Sequence, residues 1–348
     1  MDYFLFFILI IVFLTQNMVN KLEDTVMHMA DALIAPAVAA TMYVSSGIAT
    51  GVSVRNVKLE NDAKKIPVMG VMGAFVFATQ MINFTIPGTG SSGHLCGGML
   101  LSALLGPSAG FLSMIGVLLV QCLLFADGGL LALGCNIWNM AFYGCFIGAG
   151  IIWRLIMKNG ATRGKIVGAS VLGCVLTLQM GAFSVVLETL ASGITELPFK
   201  TFVMAMQPIH LAIGLVEGLI TSAVLLFIYE ARPELLWGIS ESSDSKFSYK
   251  ITVGILAVAS VIIGGIVSLF ASGYPDGLEW SMEKVAGTAE LEATGKAYEI
   301  AAAVQDKTAL LPDYEHTSLS GIVGLLIVLG LCVAVSYIFK FFKNKKTA

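Results

Sequence analysis

Four histidines occur in the 348 residues: His28, His94, His210 and His316. Neutral imidazole is a common ligand for nickel, copper and zinc, so the residues around each one decide what it can do. His28 follows Met27 in "VMHMADALIAP", between two oily stretches. If Met27 is a mature N-terminus, its α-amine, the amide nitrogen of residue 28 and the His28 imidazole can chelate one metal together. His94 follows the glycine-rich "IPGTGSSGHLCGG", which lets backbone approach closely and brings in a fourth nitrogen. Planar nitrogen sets suit Ni(II) or Cu(II). Each nitrogen must lose or lack a proton, so binding weakens as pH falls. The alternative for any single histidine is an interfacial, hydrogen-bonded residue.

Other polar residues sit in oily surroundings. Glu217 lies seven residues after His210 in "MQPIHLAIGLVEG". That is two helical turns along one face, about 10 Å deeper at ~1.5 Å per residue. It reads either as a residue lining a path below the metal or as an acid hydrogen-bonded to a neighbouring helix. Asn83, Asn136 and Asn139 read as interhelical hydrogen-bond partners, or as groups that fix the tautomer of a ligating imidazole. The six cysteines lie in apolar segments without C-x-x-C spacing and read as packing residues, not as a disulfide framework.

These residues must be held by helices in lipid. Hydrophobic residues make up 57% of the chain and charged ones 12%, against about 25% charged in soluble domains. The expected class is all-α, a polytopic membrane bundle of six to seven spans followed by a two-span module with an outer loop. Apolar stretches of spanning length fall near 34–54, 67–86, 107–126, 129–156, 165–190, 206–230, 249–272 and 318–341. A shorter one, 94–106, turns into its successor at Gly106-Pro107, and residues 3–19 are also apolar. Strict alternation puts the basic clusters around Arg55, Arg154, Arg232 and Lys343 on one side, which the positive-inside rule makes cytoplasmic. His28, the loop 86–93 with His94, "FADGG" with Asp127 and the start of the His210 helix then face outside. The expected divisions are a leader or misassigned start (1–26), a metal-binding domain (27–232), a polar cytoplasmic linker (233–248) and a two-span accessory domain (249–348). The accessory loop from Tyr274 to His316 holds nine acids and three lysines. It reads as a solvated face, with a field that raises local cation concentration as the alternative.

"MHMADALIAPAV", "PGTGSSGHLCGG", "LVQCLLFADGGLLALGCNIWNMA" and "HLAIGLVEGLIT" together resemble the substrate-binding component of cobalt/nickel energy-coupling-factor transporters, the CbiM/NikM family, over about residues 27–232. "YPDGLEWS" resembles the PDGLE accessory component, here fused behind that domain. The resemblance implies a metal site at Met27, His28 and His94, with nickel or cobalt as cargo and no resident cofactor. It implies a transmembrane coupling subunit and ATPase subunits as partners, in the cell membrane. Nucleic acid is not expected as a partner. The amine ligand requires that residues 1–26 be cleaved or never translated, and a start at Met27 is the favoured expectation. Four planar nitrogens lean the reading toward nickel. Small residues at helical spacing in the first span, Ala35, Ala39, Ser45 and Ala49, read as a docking face for the coupling partner or as internal packing. No G-x-x-x-x-G-K-[ST] loop occurs, so ATP must be hydrolysed elsewhere. A stand-alone secondary permease is the competing reading, expected to show inverted repeats and a midplane site. An intramembrane metalloenzyme would want an open metal position beside a base, and no H-E-x-x-H pair is present.

Overall fold

The computed structural model describes residues 28–57, 65–239 and 247–344. Met27 and the leader lie outside the described residues. Helix α1 (Pro36–Asn56) begins with a proline in its first turn, where the missing N–H costs nothing. It is followed by α2 (Lys65–Gln80), a two-strand antiparallel hairpin of β1 (Phe84–Ile86) and β2 (Ser91–Gly93), and short α3 (Gly98–Leu105). Helices α4 (Pro107–Leu124), α5 (Leu133–Met157), α6 (Arg163–Ala191) and α7 (Phe199–Ala231) complete the first bundle. Within α5, Ile137–Trp153 is wound as a π-helix. The accessory part consists of α8 (Tyr249–Gly265), α9 (Gly277–Ala286), α10 (Lys296–Thr308) and α11 (Thr317–Asn344).

Among the described residues, six helices are long and apolar enough to cross a membrane: α1, α4, α5, α6, α7 and the Thr317–Val335 part of α11. Two shorter apolar helices, α2 and α8, accompany them. The all-α membrane bundle expected from hydropathy is therefore present, with three local differences.

The second apolar stretch stops being helix at Gln80. Asn83 and Pro87 close it, and the chain forms the hairpin instead. This irregular backbone is buried in protein through most of its length, the condition under which non-helical segments survive at membrane depth. Helix α7 starts at Phe199, seven residues before the expected 206, because apolar Phe202 and Met206 are buried in its first turns. The beginning of the expected linker is not a loose tether. Trp237 donates its amide to Ala103 O at 2.7 Å and accepts from Trp153 Nε1 at 3.1 Å, which plugs the bundle beneath α3. There Gly106 has a φ of +85°, and a Cβ would stand 2.9 Å from the Trp237 ring nitrogen, so only glycine makes this reversal.

The accessory helices do not stand apart. α8 and α11 cross at Gly264 and Gly321, where a Cβ on Gly321 would overlap the Gly264 carbonyl. Both pack on α2, whose Gly70 and Gly73 face Val333 and Cys332 of α11. The segment between them lies over the hairpin. Ser92 N donates to Pro275 O at 2.8 Å, Ser92 Oγ to Tyr274 O at 2.7 Å and Trp280 Nε1 to Thr89 O at 3.1 Å. The loop 86–93, expected to be open to the outside, thus has Ser91 and Ser92 covered, and only Pro87, Gly88 and Gly90 stay exposed.

Candidate metal centre

His28 enters the bundle on a short segment that α5 and the α4–α5 loop hold in place. The Met29 amide donates to Asn136 Oδ1 at 3.1 Å, and the Met29 carbonyl accepts from Asn136 Nδ2 at 3.2 Å and from Gly129 N at 3.0 Å. Gly128 has a φ of +80°, and a Cβ there would sit 2.7 Å from the His28 Cβ. Glycine is therefore required both by backbone conformation and by the approach of the histidine. His94 arrives from the other side, at the end of β2 and one short stretch before α3. The two imidazoles approach with ring centres 5.6 Å apart and planes tilted by 47°.

They line one cavity of about 80 Å³, together with His210, Cys96, Asn139 and Asp276. Each histidine has its Nδ1 against an oxygen that can only accept. His28 Nδ1 lies 2.7 Å from Asp127 Oδ1, His94 Nδ1 3.2 Å from Leu95 O and His210 Nδ1 2.7 Å from Met206 O. Each Nδ1 therefore carries a proton. His28 is 4% exposed, and its Nε2 has no hydrogen-bond partner. Buried polar atoms are nearly always paired, so an unpaired ring nitrogen at a cavity marks a position for a ligand.

This orientation bears on the chelate expected for His28. A ring with the amide of the same residue closes through Nδ1, and here Asp127 holds that nitrogen. In this conformation the imidazole offers Nε2 instead. Among the described residues, no three His, Cys, Asp or Glu side chains lie close enough together to hold one metal ion. The two imidazoles therefore need further donors of another kind.

Asp127 is buried between His28 and Tyr314, whose hydroxyl donates to Oδ2 at 2.5 Å. Burial alone would raise its carboxyl. The His28 imidazole and the hydrogen bonds from His28 and Tyr314 outweigh burial and hold it below the ordinary carboxylate range. Asp276 sits across the cavity, with Oδ2 4.0 Å from His94 Nε2, too long for a hydrogen bond. It caps α9, accepting from the Leu278 and Glu279 amides at 2.8 Å each, while Glu279 returns a bond to the Asp276 amide. Burial drives the Asp276 carboxyl upward against those two amides.

The remaining candidates divide. Asn136 clamps Met29. Asn139 lines the cavity and donates to buried Glu188 Oε2 at 2.8 Å. Glu217 accepts from the Gly97 amide at 3.0 Å, serving α3 as an N-terminal cap. It also borders a separate small cavity that shares Cys96 and Asn139 with the larger one. Asn83 is buried at the hairpin, where its carbonyl accepts from Ser272 N at 2.7 Å, and it does not reach the cavity. Of the small residues on α1, Ala39 is buried within the bundle at 2% exposure, and Ala35, Ser45 and Ala49 are half-covered. The face that α1 leaves open runs through Ala40, Val44, Gly47, Ile48 and Gly51 instead. Asp127, Glu188, Asp276 and Tyr314 were not among the candidates. Asp276 had a local signal, because D-x-x-E before an apolar turn is a capping box.

Residues 28–235 match the family described as cobalt uptake substrate-specific transmembrane region, and residues 250–341 match the PDGLE domain. A putative fused nickel transport protein NikMN of Archaeoglobus fulgidus is 32% identical over 318 residues, covering 89% of this chain and 98% of that protein. A putative metal transport protein of Haloquadratum walsbyi is 36% identical over 220 residues, covering 63% of this chain and 97% of its own length. The solved structure of a truncated transition metal transporter superposes with a TM-score of 0.51 at 31% identity, covering 59% of this chain and 99% of that one.

Proposed function

Because the chain belongs to the family of cobalt-uptake substrate-specific transmembrane regions and carries a PDGLE domain behind it, we propose that it is the metal-capture component of an ATP-driven nickel or cobalt importer. The ion enters from outside and is held by the imidazoles of His28 and His94. The approach of these two rings at one cavity, with His28 buried, is the observation that carries this reading. Two imidazoles leave a small divalent ion underligated. The α-amine of Met27, present when residues 1–26 are absent, and the amide nitrogen of residue 28 complete an all-nitrogen set, which asks the His28 ring to turn its Nδ1 from Asp127 to the ion. Such a set favours nickel over harder cations. The fused relatives of Archaeoglobus fulgidus and Lactiplantibacillus plantarum carry nickel in their names and share this two-part layout, which also supports nickel.

Release has to be driven from outside the chain. Several nitrogens hold a metal tightly, and tight binding opposes its departure to the cytoplasm. The sequence has no phosphate-cradling loop. A coupling subunit driven by ATPase subunits supplies the energy, and the open face of α1 is where we place that contact.

The test is nickel uptake into liposomes holding this chain alone, then with coupling and ATPase subunits added. Accumulation only in the complete set with ATP is the expected result. Robust gradient-driven accumulation by the chain alone would make it a secondary permease.

A further inference from the structure

The accessory part supplies one wall of the metal cavity with a single turn. Asp276, Gly277 and Leu278, where α9 begins, line it beside His94 and His210 of the metal domain. The turn is fixed from both sides. Before Asp276, Ser92 N donates to Pro275 O at 2.8 Å and Ser92 Oγ to Tyr274 O at 2.7 Å, two residues ahead of His94. After it, the capping box ties Asp276 to Glu279. Gly277 rests directly on α7. A Cβ there would stand 2.7 Å from Ile213 Cδ1 and 3.2 Å from His210 Nε2, so a side chain would lift the turn off the cavity.

The Asp276 carboxylate is used unevenly. Both amides it caps, Leu278 N and Glu279 N, bond to Oδ1. Oδ2 lies on the His94 side, 4.0 Å from Nε2. The residue is 5% exposed. Among the described residues that line the cavity, it is the one carboxylate, and none is a lysine or arginine. A buried carboxylate is kept where a cation pairs with it or a metal binds it, and this lining offers it no basic side chain. The cavity's 80 Å³ has room for a small ion with a few waters. No three His, Cys, Asp or Glu side chains of the described residues converge on one point, so an ion at Asp276 still carries much of its water.

We propose that Asp276 is the entry ligand of the metal site: its Oδ2 holds a partly hydrated divalent cation beside His94 and His210 and passes it to the nitrogens, so that the accessory part sets how fast the site fills and not what finally holds the ion. This rests on the reading of the cavity as the metal's place. Imidazole suits nickel better than carboxylate and water do, so the transfer runs toward the nitrogens. A carboxylate on the way in offsets the charge of the arriving ion, and charges so placed act on the rate of association.

The experiment uses the full chain in detergent, with nickel as the probe. Stopped-flow mixing gives the association rate constant, and a chelator chase gives the dissociation rate constant. Asn caps a helix about as well as Asp, so Asp276→Asn keeps the cap and removes the charge. Its thermal unfolding without metal should match wild type. Its association rate constant should fall about tenfold, at the low end of the roughly 10–10³ that charged clefts contribute, and should depend less on added salt. Dissociation, and the nitrogen shell seen by X-ray absorption of the loaded protein, should not change. Asp276→Ser, another uncharged capping residue, should repeat this result, whereas Asp276→Ala should lower the melting temperature as well. Wild-type association in the Asn and Ser variants overturns the proposal, and so does a loss carried by dissociation alone. His94→Ala runs alongside as a control. If it abolishes binding while Asp276→Asn fills at the wild-type rate, only the entry role is lost. If it too binds normally, the cavity is not the site.

Discussion

Gly128 and His28 stand so close that a methyl group on the glycine would lie 2.7 Å from the histidine Cβ, and the glycine φ is +80°. The loop that carries Asp127 is therefore shaped around the segment that carries His28. Gly128→Ala should push His28 out of its place and weaken nickel binding by tenfold or more, since the groups that hold a ligand in position are worth about that much. The strained φ should cost about 1 kcal/mol of stability besides. Titration calorimetry with nickel and a thermal melt separate the two effects. Wild-type affinity would show that the loop does not set the ligand.

Glu217 is a second point where structure narrows a choice left open by the sequence. Its carboxylate accepts from the Gly97 amide at the start of α3. Glu217→Gln keeps an acceptor there and should be well tolerated. Glu217→Leu leaves the amide unpaired in a buried place, at a cost of about 1–3 kcal/mol. If instead Glu217→Gln stops uptake while binding and stability stay normal, the acid serves the metal path and not the helix.

How much of this was legible beforehand depended on the range of the signal. His28 and His94 stood out because an imidazole beside a methionine, and another behind a glycine-rich loop, carry their chemistry in adjacent residues. The spans were legible because twenty apolar residues are a local pattern. Asp127 was visible only as a loop residue, since its partners His28 and Tyr314 lie 99 and 187 positions away. No periodicity reports such contacts. Glu188 carries no local signal either, because its partner Asn139 lies 49 positions away. Ala39 had the right size and spacing for docking, but spacing does not say which face of α1 turns inward. Its burial moves the open surface to Ala40, Gly47 and Gly51.

That shift changes the expected effect of substitutions on α1. Ala39→Leu should overfill the bundle and cost about 1–3 kcal/mol. Gly47→Leu has open space around its Cβ. It should leave metal binding unchanged while lowering uptake in the complete transporter. Normal uptake by Gly47→Leu would remove the open face of α1 as the coupling contact.

Sidedness is tested with an impermeant thiol reagent on whole cells. Pro87, at the uncovered tip of the hairpin, and Asn159, between α5 and α6, are both exposed. A cysteine at Pro87 should react from outside, and one at Asn159 only after the cells are opened. The reverse pattern would turn the cavity toward the cytoplasm.

The most direct measurement is X-ray absorption of nickel bound to the full-length protein, in wild type and in the His28→Ala, His94→Ala and His316→Ala variants. The account predicts a first shell of nitrogen at about 2 Å in wild type, with scattering from two imidazoles. His316→Ala should match it, because His316 lies in the accessory loop and not at the cavity. The other two variants should fail to hold nickel at the same concentration. A shell dominated by sulfur from Cys96 or the methionines, or a His94→Ala protein that binds nickel as wild type does, would contradict it.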